Sequence, residues 1–415
     1  MNGGPGGSSL MGLGMEHGPF TINTDGHTLS CNPYSWNRHA NMIYLEAPVG
    51  VGYSYNTSGI YESGDLATAA DNLEGMILFF IRFPHLRKNA FHIMGESYGG
   101  VYVPMLATSI VHYNQQGSTL PQHVILLKSF AVGNGINEYI SNSQVFYAYY
   151  HGLLSSDTWR NLRCACEDIQ EFHISNSSIF DVLSPSTTPD ECTIVRSQAM
   201  MEVMSDHIDT YNIYQSCTVQ PDFAGMIKDW TSVKATSSSK FIQPLRLNGL
   251  PCFDSTALQT YFSLPSVKAA MHVPAELEWN MLVLTSLQGA SLLPLLQHMN
   301  LTLNRPMLTY TTDINSVVIP LWKELLKNKI RGLIYHGDLD YMCDFIGGQW
   351  AVDSMNLTSS SAHAPWSVDG NTAGFMKTYK EGMTYMTVMD AGHTVPMWKP
   401  KESLHLFEQY VLQRS

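Results

Sequence analysis

No stretch of the 415-residue sequence approaches the roughly 18 uninterrupted apolar residues of a membrane-crossing helix; the nearest is the short MILFFI run at 76–81. A membrane span is therefore not expected. Basic residues are scarce as well: 23 Lys and Arg stand against 35 Asp and Glu, the net charge is −12, and no lysine or arginine run offers a stripe for phosphates. That balance excludes nucleic acid as an expected partner. The cysteines lack zinc-ligand spacing and no phosphate-cradling loop is present, so neither a metal nor an organic cofactor is expected. A basic segment followed by an apolar core and a cleavage site, the pattern of a secretory signal, is missing from the start, as are internal repeats and low-complexity tracts.

What is present is a globular composition. With 44% apolar residues the chain is long enough for a large core, as one domain with a sizeable insertion or as two domains. Four N-glycosylation tripeptides occur, at Asn56, Asn176, Asn300 and Asn356, and five of the seven cysteines lie between Cys164 and Cys252. Such tripeptides act only in a secretory lumen, and clustered cysteines suit local bridges in a loop-rich segment. Both point to an oxidising compartment, with a mature or truncated start.

Short apolar runs bounded by Gly and Pro read as buried strands at 42–47 (MIYLEA), 91–94 (FHIM), 123–135 (HVILLKSFAVGNG), 330–338 (IRGLIYHGD) and 383–393 (MTYMTVMDAGH). Between the first two, Leu66, Ala69, Ala70, Leu73, Met76, Ile77 and Phe80 follow helical spacing, with Asp65 placed to cap and Pro84 to close. Strands alternating with helices predict a mostly parallel α/β sheet. Residues from about 141 to 305 are polar and cysteine-rich, with helical stretches such as ALQTYFSLPSVKAAM but little strand signal, and read as a largely helical cap inserted into a core of 1–140 and 306–415.

In FHIMGESYGGVYVPMLA a strand ends, Gly95-Glu96-Ser97-Tyr98-Gly99 turns, and a helical pattern begins. This is the context of a nucleophile elbow, in which a strained turn lifts the serine off the sheet and the helix N-terminus favours negative charge on a bound acyl oxygen. A serine hydroxyl is a poor nucleophile alone and needs an imidazole base and a carboxylate that orients it. The later strands end in loops that carry Asp338 and Asp340, then Asp390 and His393, in the chain order Ser, acid, His.

The motifs NGGPGGSS, YLEAPVGVGYSY, GESYGG, GDLDYMC and DAGHTVP, in this order from residue 2 to residue 396, resemble those of the serine carboxypeptidase family. The resemblance implies an α/β-hydrolase fold with helices on both faces of the sheet. It also implies hydrolysis of the C-terminal bond of peptides and proteins through an acyl-enzyme, with an acidic optimum, in a lysosome- or vacuole-like lumen or after secretion, and it admits a homodimer. Ser97 matches the nucleophile, His393 the base and Asp340 the acid by its G-x-x-D spacing, while Asp338 ties the turn. The backbone N–H groups of Gly4 and Tyr98 match the oxyanion hole, where a side chain at position 4 would crowd the reacting carbon. Asn2, the Gly3 N–H, Glu16 and Glu96 match the groups that bind the substrate carboxylate. Thr394 lines the leaving-residue pocket, while Tyr98 and Cys343 lie near the pocket for the penultimate side chain. For disulfides it pairs Cys217 with Cys252, and Cys192 with Cys164 or Cys166. Two departures stand out: Gly7 occupies a position where a bridging Cys is usual, and the family's N-terminal strands are missing ahead of Asn2, so a truncated chain is expected. An acyltransferase on the same triad, or a mainly protective binding protein, are the alternative readings.

Overall fold

A computed structural model of the chain describes residues 1–116, 124–166, 169, 191–204, 208–217, 246–247, 252–283, 285–287, 308–312 and 318–413. It divides into two compact units, one of residues 1–68 with 217–313, the other of residues 69–216 with 314–415.

The second unit holds the main sheet. Helix α1 (Asp65–Arg82) leads into strand β1 (Phe91–Ser97), followed by α2 (Gly99–Gln116) and β2 (Leu127–Gly135). Later come β3 (Arg331–Gly337), α3 (Phe345–Asp353), β4 (Ala364–Val368), β5 (Asn371–Thr378) and β6 (Met383–Val388). The strand order is β4-β5-β6-β3-β2-β1, parallel through β6, β3, β2 and β1 and closed at one edge by the antiparallel β4–β5 hairpin. This is the expected mostly parallel α/β-hydrolase sheet. Strand β2 lies between β3 and the edge strand β1 and is buried at every residue but Lys128, as a parallel strand covered on both faces must be. Parallel β1, β2, β3 and β6 all end at the same edge of the sheet, which is where an open α/β fold places its chemistry.

The helix at 65–82 forms, but its buried stripe runs through Ala69, Asn72, Met76 and Phe80, whereas Leu66 is 61% exposed and Ala70 also faces solvent. The first turn therefore departs from the apolar spacing. Asp65 is the first helical residue, and its Oδ1 accepts a hydrogen bond from the Tyr310 hydroxyl at 3.0 Å.

The first unit is built from short elements. A hairpin pairs Phe20–Ile22 with Leu29–Cys31, and a parallel three-stranded sheet joins Glu62–Gly64, Leu308–Thr311 and Thr285–Leu287. Residues 42–47 form no strand: their apolar run is only partly buried and has no ladder partner among the described residues. Strand pairing also enters the stretch read as helical cap, at Arg246–Leu247 with Leu282–Val283 and at Thr285–Leu287. Pieces of two or three residues carry no periodicity to read. The core of this unit packs Leu10, Tyr53, Leu258, Phe262, Leu277, Trp279 and Met281.

Candidate active site

Ser97 is the last residue of β1 and has φ of 59°, the left-handed conformation that a side-chain-bearing residue adopts only under constraint. The turn is held from both sides. The Ile136 N–H donates to the Ser97 carbonyl at 3.0 Å, and a Cβ on Gly100 would fall 2.5 Å from the Ile136 carbonyl oxygen. A glycine there lets the start of α2 lie directly against the end of β2. Tyr98 is buried, packs edge-on to Tyr102 at 5.2 Å, and precedes the first residue of α2, where backbone N–H groups lack intrahelical acceptors.

Asp340 and His393 lie on the loops that follow β3 and β6. The His393 Nδ1 and Asp340 Oδ2 are 2.7 Å apart, and both residues are buried, Asp340 completely. The carboxylate accepts three more hydrogen bonds: Met342 N–H to Oδ1 at 3.0 Å, and Cys343 N–H and Asn134 Nδ2 to Oδ2 at 3.1 and 2.9 Å. Asp338 takes a different role. Its own N–H donates to the Val388 carbonyl at 3.1 Å and that of Leu339 to the Ala391 carbonyl at 2.9 Å, tying the loop after β3 to the loop after β6, and burial beside Asp390 pushes the Asp338 carboxyl up to about 6.

A segment at 208–216, in the stretch read as cap, straps these loops together. The Tyr341 and Met342 N–H groups donate to the Thr210 carbonyl, Ile213 N–H to that of Leu339, and His393 N–H to that of Tyr211 at 2.8 Å. The Tyr211 ring meets the His393 ring edge-on at 4.7 Å, and burial followed by the charges of Cys343, Asp340, Asp209 and Glu96 holds its hydroxyl protonated. Glu96 thus lies within electrostatic reach of the ring that touches His393. Cys343 is buried, and burial with the neighbouring Asp340 and Asp344 pushes its thiol well up. Thr394 precedes the short helix Val395–Trp398. The Sγ of Cys343 lies within 4.8 Å of a carboxylate oxygen of Asp340 and a ring nitrogen of His393.

In the first unit the N-terminal loop brings Asn2 and Glu16 together: Asn2 Nδ2 donates to Glu16 Oε1 at 3.0 Å, with both side chains buried. Gly3 and Gly4 belong to the same loop, which the Gly7 N–H closes by donating to the Gly3 carbonyl at 2.8 Å. Gly4 has φ of 125°, and a Cβ on it would come within 2.5 Å of the Gly6 nitrogen. The turn itself thus demands glycine at position 4, a reason apart from the crowding of a reacting carbon. Glu46 supports the loop from beneath: its Oε1 accepts from the Ser8 hydroxyl at 2.7 Å and its Oε2 from the Tyr53 N–H at 3.0 Å. Trp279 Nε1 donates to the same Ser8 oxygen at 3.0 Å. Burial pushes the Glu46 carboxyl up to about 7.

Cys217 is bonded to Cys252, and Cys192 to Cys166. Of the two candidates for Cys192, Cys164 is thereby set aside. It sits exposed in the last turn of the helix Ser156–Ala165, while Cys166 caps that helix and is buried. Among the glycosylation tripeptides, Asn356 is exposed and Asn56 partly so, whereas Asn176 and Asn300 lie outside the described residues. No helix among the described residues is long and apolar enough to cross a membrane.

The family model for serine carboxypeptidases matches residues 1–413. The chain belongs to the serine carboxypeptidase family. It is 32% identical to the lysosomal protective protein of Mus musculus, across 99% of this chain and 83% of that protein. It is 33% identical to serine carboxypeptidase 24 of Arabidopsis thaliana, across 99% and 81%. The fold agrees: the prohormone-processing carboxypeptidase Kex1 from Saccharomyces cerevisiae superposes with a TM-score of 0.72 at 21% identity, covering 99% of this chain and 82% of that one. This serine carboxypeptidase is accordingly an enzyme, a serine-type carboxypeptidase acting on peptides. Three of its features were not picked out from sequence. Asn134 stood in the quoted VGNG and Glu46 in the quoted YLEAP, each a polar residue inside an apolar run, whereas Tyr211 gave no signal beyond its polar surroundings.

Proposed function

We propose that this carboxypeptidase releases one residue from the C-terminus of a peptide by acyl transfer to Ser97, with His393 as base and Asp340 as its orienting acid. The observation that carries the reading is the buried 2.7 Å contact between His393 and Asp340 at the sheet edge where Ser97 is held at φ of 59°. His393 takes the proton of the Ser97 hydroxyl as it attacks the scissile carbonyl, then gives it to the leaving amine; water reverses the sequence to free the acyl product. Asp340 keeps the ring in the tautomer whose Nε2 is free to act. By the family motifs they carry, the Gly4 and Tyr98 N–H groups bind the oxyanion, Asn2, Gly3, Glu16 and Glu96 bind the substrate carboxylate, and Thr394 and Cys343 line the side-chain pockets. Residues 141–305 act as an insertion on a core of 1–140 and 306–415.

Carboxyl groups that bind a carboxylate cannot all be ionised in a desolvated site, so one proton is shared among them. Peptide binding is then tightest at acidic pH and weakens as that proton leaves, which suits an acidic lumen. KM for a blocked dipeptide is expected to rise about tenfold between about pH 5 and about pH 8, while an ester substrate without a free carboxylate changes little. Equal KM for the dipeptide at both pH values would sink the carboxylate-binding assignment. Ser97→Ala should abolish turnover and labelling by an organophosphonate, and amino-acid release that survives it would overturn the nucleophile.

A further inference from the structure

Among the described residues, the fully buried Asp340 carboxylate is held by the His393 ring and by three neutral hydrogen-bond donors. Two of the three neutral donors are backbone N–H groups of its own loop, Met342 and Cys343. The third comes from elsewhere. Asn134 is the penultimate residue of β2, the strand between the one that ends in Ser97 and the one that leads to Asp340. It is fully buried at φ of 39°, a left-handed conformation that Asn and Asp tolerate better than other side chains. Its amide is fully engaged. Oδ1 accepts the Gly337 N–H at 2.9 Å, while Nδ2 donates to Asp340 Oδ2 at 2.9 Å and faces the carbonyls of Cys343 and Gly337 at 3.2 and 3.3 Å. The opposite amide orientation would set Oδ1 against three oxygens, so the assignment of donor and acceptor is unambiguous.

We propose that Asn134 is a positioning residue for catalysis: by fixing the Asp340 oxygen that His393 contacts, it sets the aim and the basicity of the imidazole. Oδ2 is shared by the His393 ring, Asn134 and the Cys343 N–H, so removing the amide frees that oxygen to swing about its remaining backbone bonds. Among the described residues, the other titratable groups in electrostatic reach are Cys343, Asp344, His336, Asp209, Tyr147 and Tyr211. Burial favours the neutral form of each: it raises Asp209, pushes Asp344 up to about 7 and the Cys343 thiol and both tyrosines upward, and lowers His336 to about 4. The neutral donors around Asp340 therefore govern how its charge is presented to the ring.

The proposal rests on the triad reading above, and the wild-type enzyme tests that reading separately by its turnover and its loss in Ser97→Ala. For Asn134 itself two variants are informative, each normalised to the sites that an organophosphonate titrates. Asn134→Asp keeps the shape and the left-handed backbone but faces Asp340 with a second carboxyl. Set against three oxygens, that carboxyl keeps its proton and shares it with Asp340, which draws charge away from the His393 ring, so the acid limb of kcat/KM is expected to move down by about one pH unit or more, with KM unchanged. Asn134→Ser removes the donor, and kcat is expected to fall about tenfold at constant KM; in an Asp340→Asn background the same change should cost little. A side chain that only packs would leave the acid limb of the titrated sites where the wild type has it and would cost as much in either background. Either result overturns the proposal, as does failure of both variants to yield any titratable sites, which would make Asn134 a folding residue.

Discussion

Glu46 shows how much a single carboxyl can report. Its ordinary value of 4.5 is pushed up to about 7 because burial outweighs the hydrogen bonds from Ser8, Tyr53, Leu10 and Ser9 that favour ionisation. Folded protein therefore binds more protons than unfolded protein between those values. The stability this group contributes is whole below about pH 4.5 and is lost as pH rises through about 7. Asp344 and Asp338, raised from 3.8 to about 7 and about 6, act in the same direction in the other unit. Urea unfolding should thus show stability falling from about pH 5 to about pH 7, and Glu46→Gln should flatten that fall by up to about 1.4 kcal/mol per pH unit. An identical slope in the variant would mean that Glu46 titrates as an ordinary surface carboxyl. The outcome bears on function, since Glu46 holds Ser8 on the loop that carries Gly3 and Gly4.

At the scale of elements, two helical glycines make opposite predictions. Gly75 lies inside α1 with open space around the site of a Cβ, so Gly75→Ala should stabilise by about 1 kcal/mol, the ordinary difference in helix propensity. Gly100 lies in the first turn of α2, where a Cβ would meet the backbone of Ile136 at 2.5 and 2.8 Å. Backbone on both sides cannot yield as a side chain would, so overpacking outweighs propensity. Gly100→Ala should destabilise by about 1–3 kcal/mol in urea and lower kcat by displacing Ser97. Equal stability for the two variants would refute the close approach of α2 to β2. The elements that position Ser97, Asp340 and His393 were legible because β1, β2, β3 and β6 are apolar runs ending at glycine or aspartate turns. Residues 42–47 show the same pattern without becoming a strand, since an apolar run specifies burial and not a pairing partner. The choice between Cys164 and Cys166 was equally closed to inspection: one residue at a helix end decides which sulfur points inward. The hydrogen bonds of Asn134 cross from residue 134 to residues 337–343, a distance along the chain at which local pattern carries no information.

For the whole molecule, the distribution of sulfur links stability to compartment. Each compact unit holds one disulfide, Cys217–Cys252 in the first and Cys166–Cys192 in the second, closing loops of 35 and 26 residues. Loop closure of that length is worth about 3–4 kcal/mol apiece, a large fraction of the net stability of a typical domain. A reducing cytosol would withhold both contributions, so the secretory-lumen assignment and the fold support each other. Thiol counting tests the pairing directly. Of the seven cysteines, Cys31 and Cys164 are exposed and free, Cys343 is free but buried beside Asp340, and four are bridged. A disulfide-exchange reagent should therefore titrate two thiols rapidly in native protein, three in denatured protein and seven after reduction. The third thiol should react in native protein only on the timescale of unfolding, and Cys343→Ser should remove it. Five thiols in the denatured, unreduced protein would mean that one of the two bridges is not formed, and would undo the stability ascribed to it.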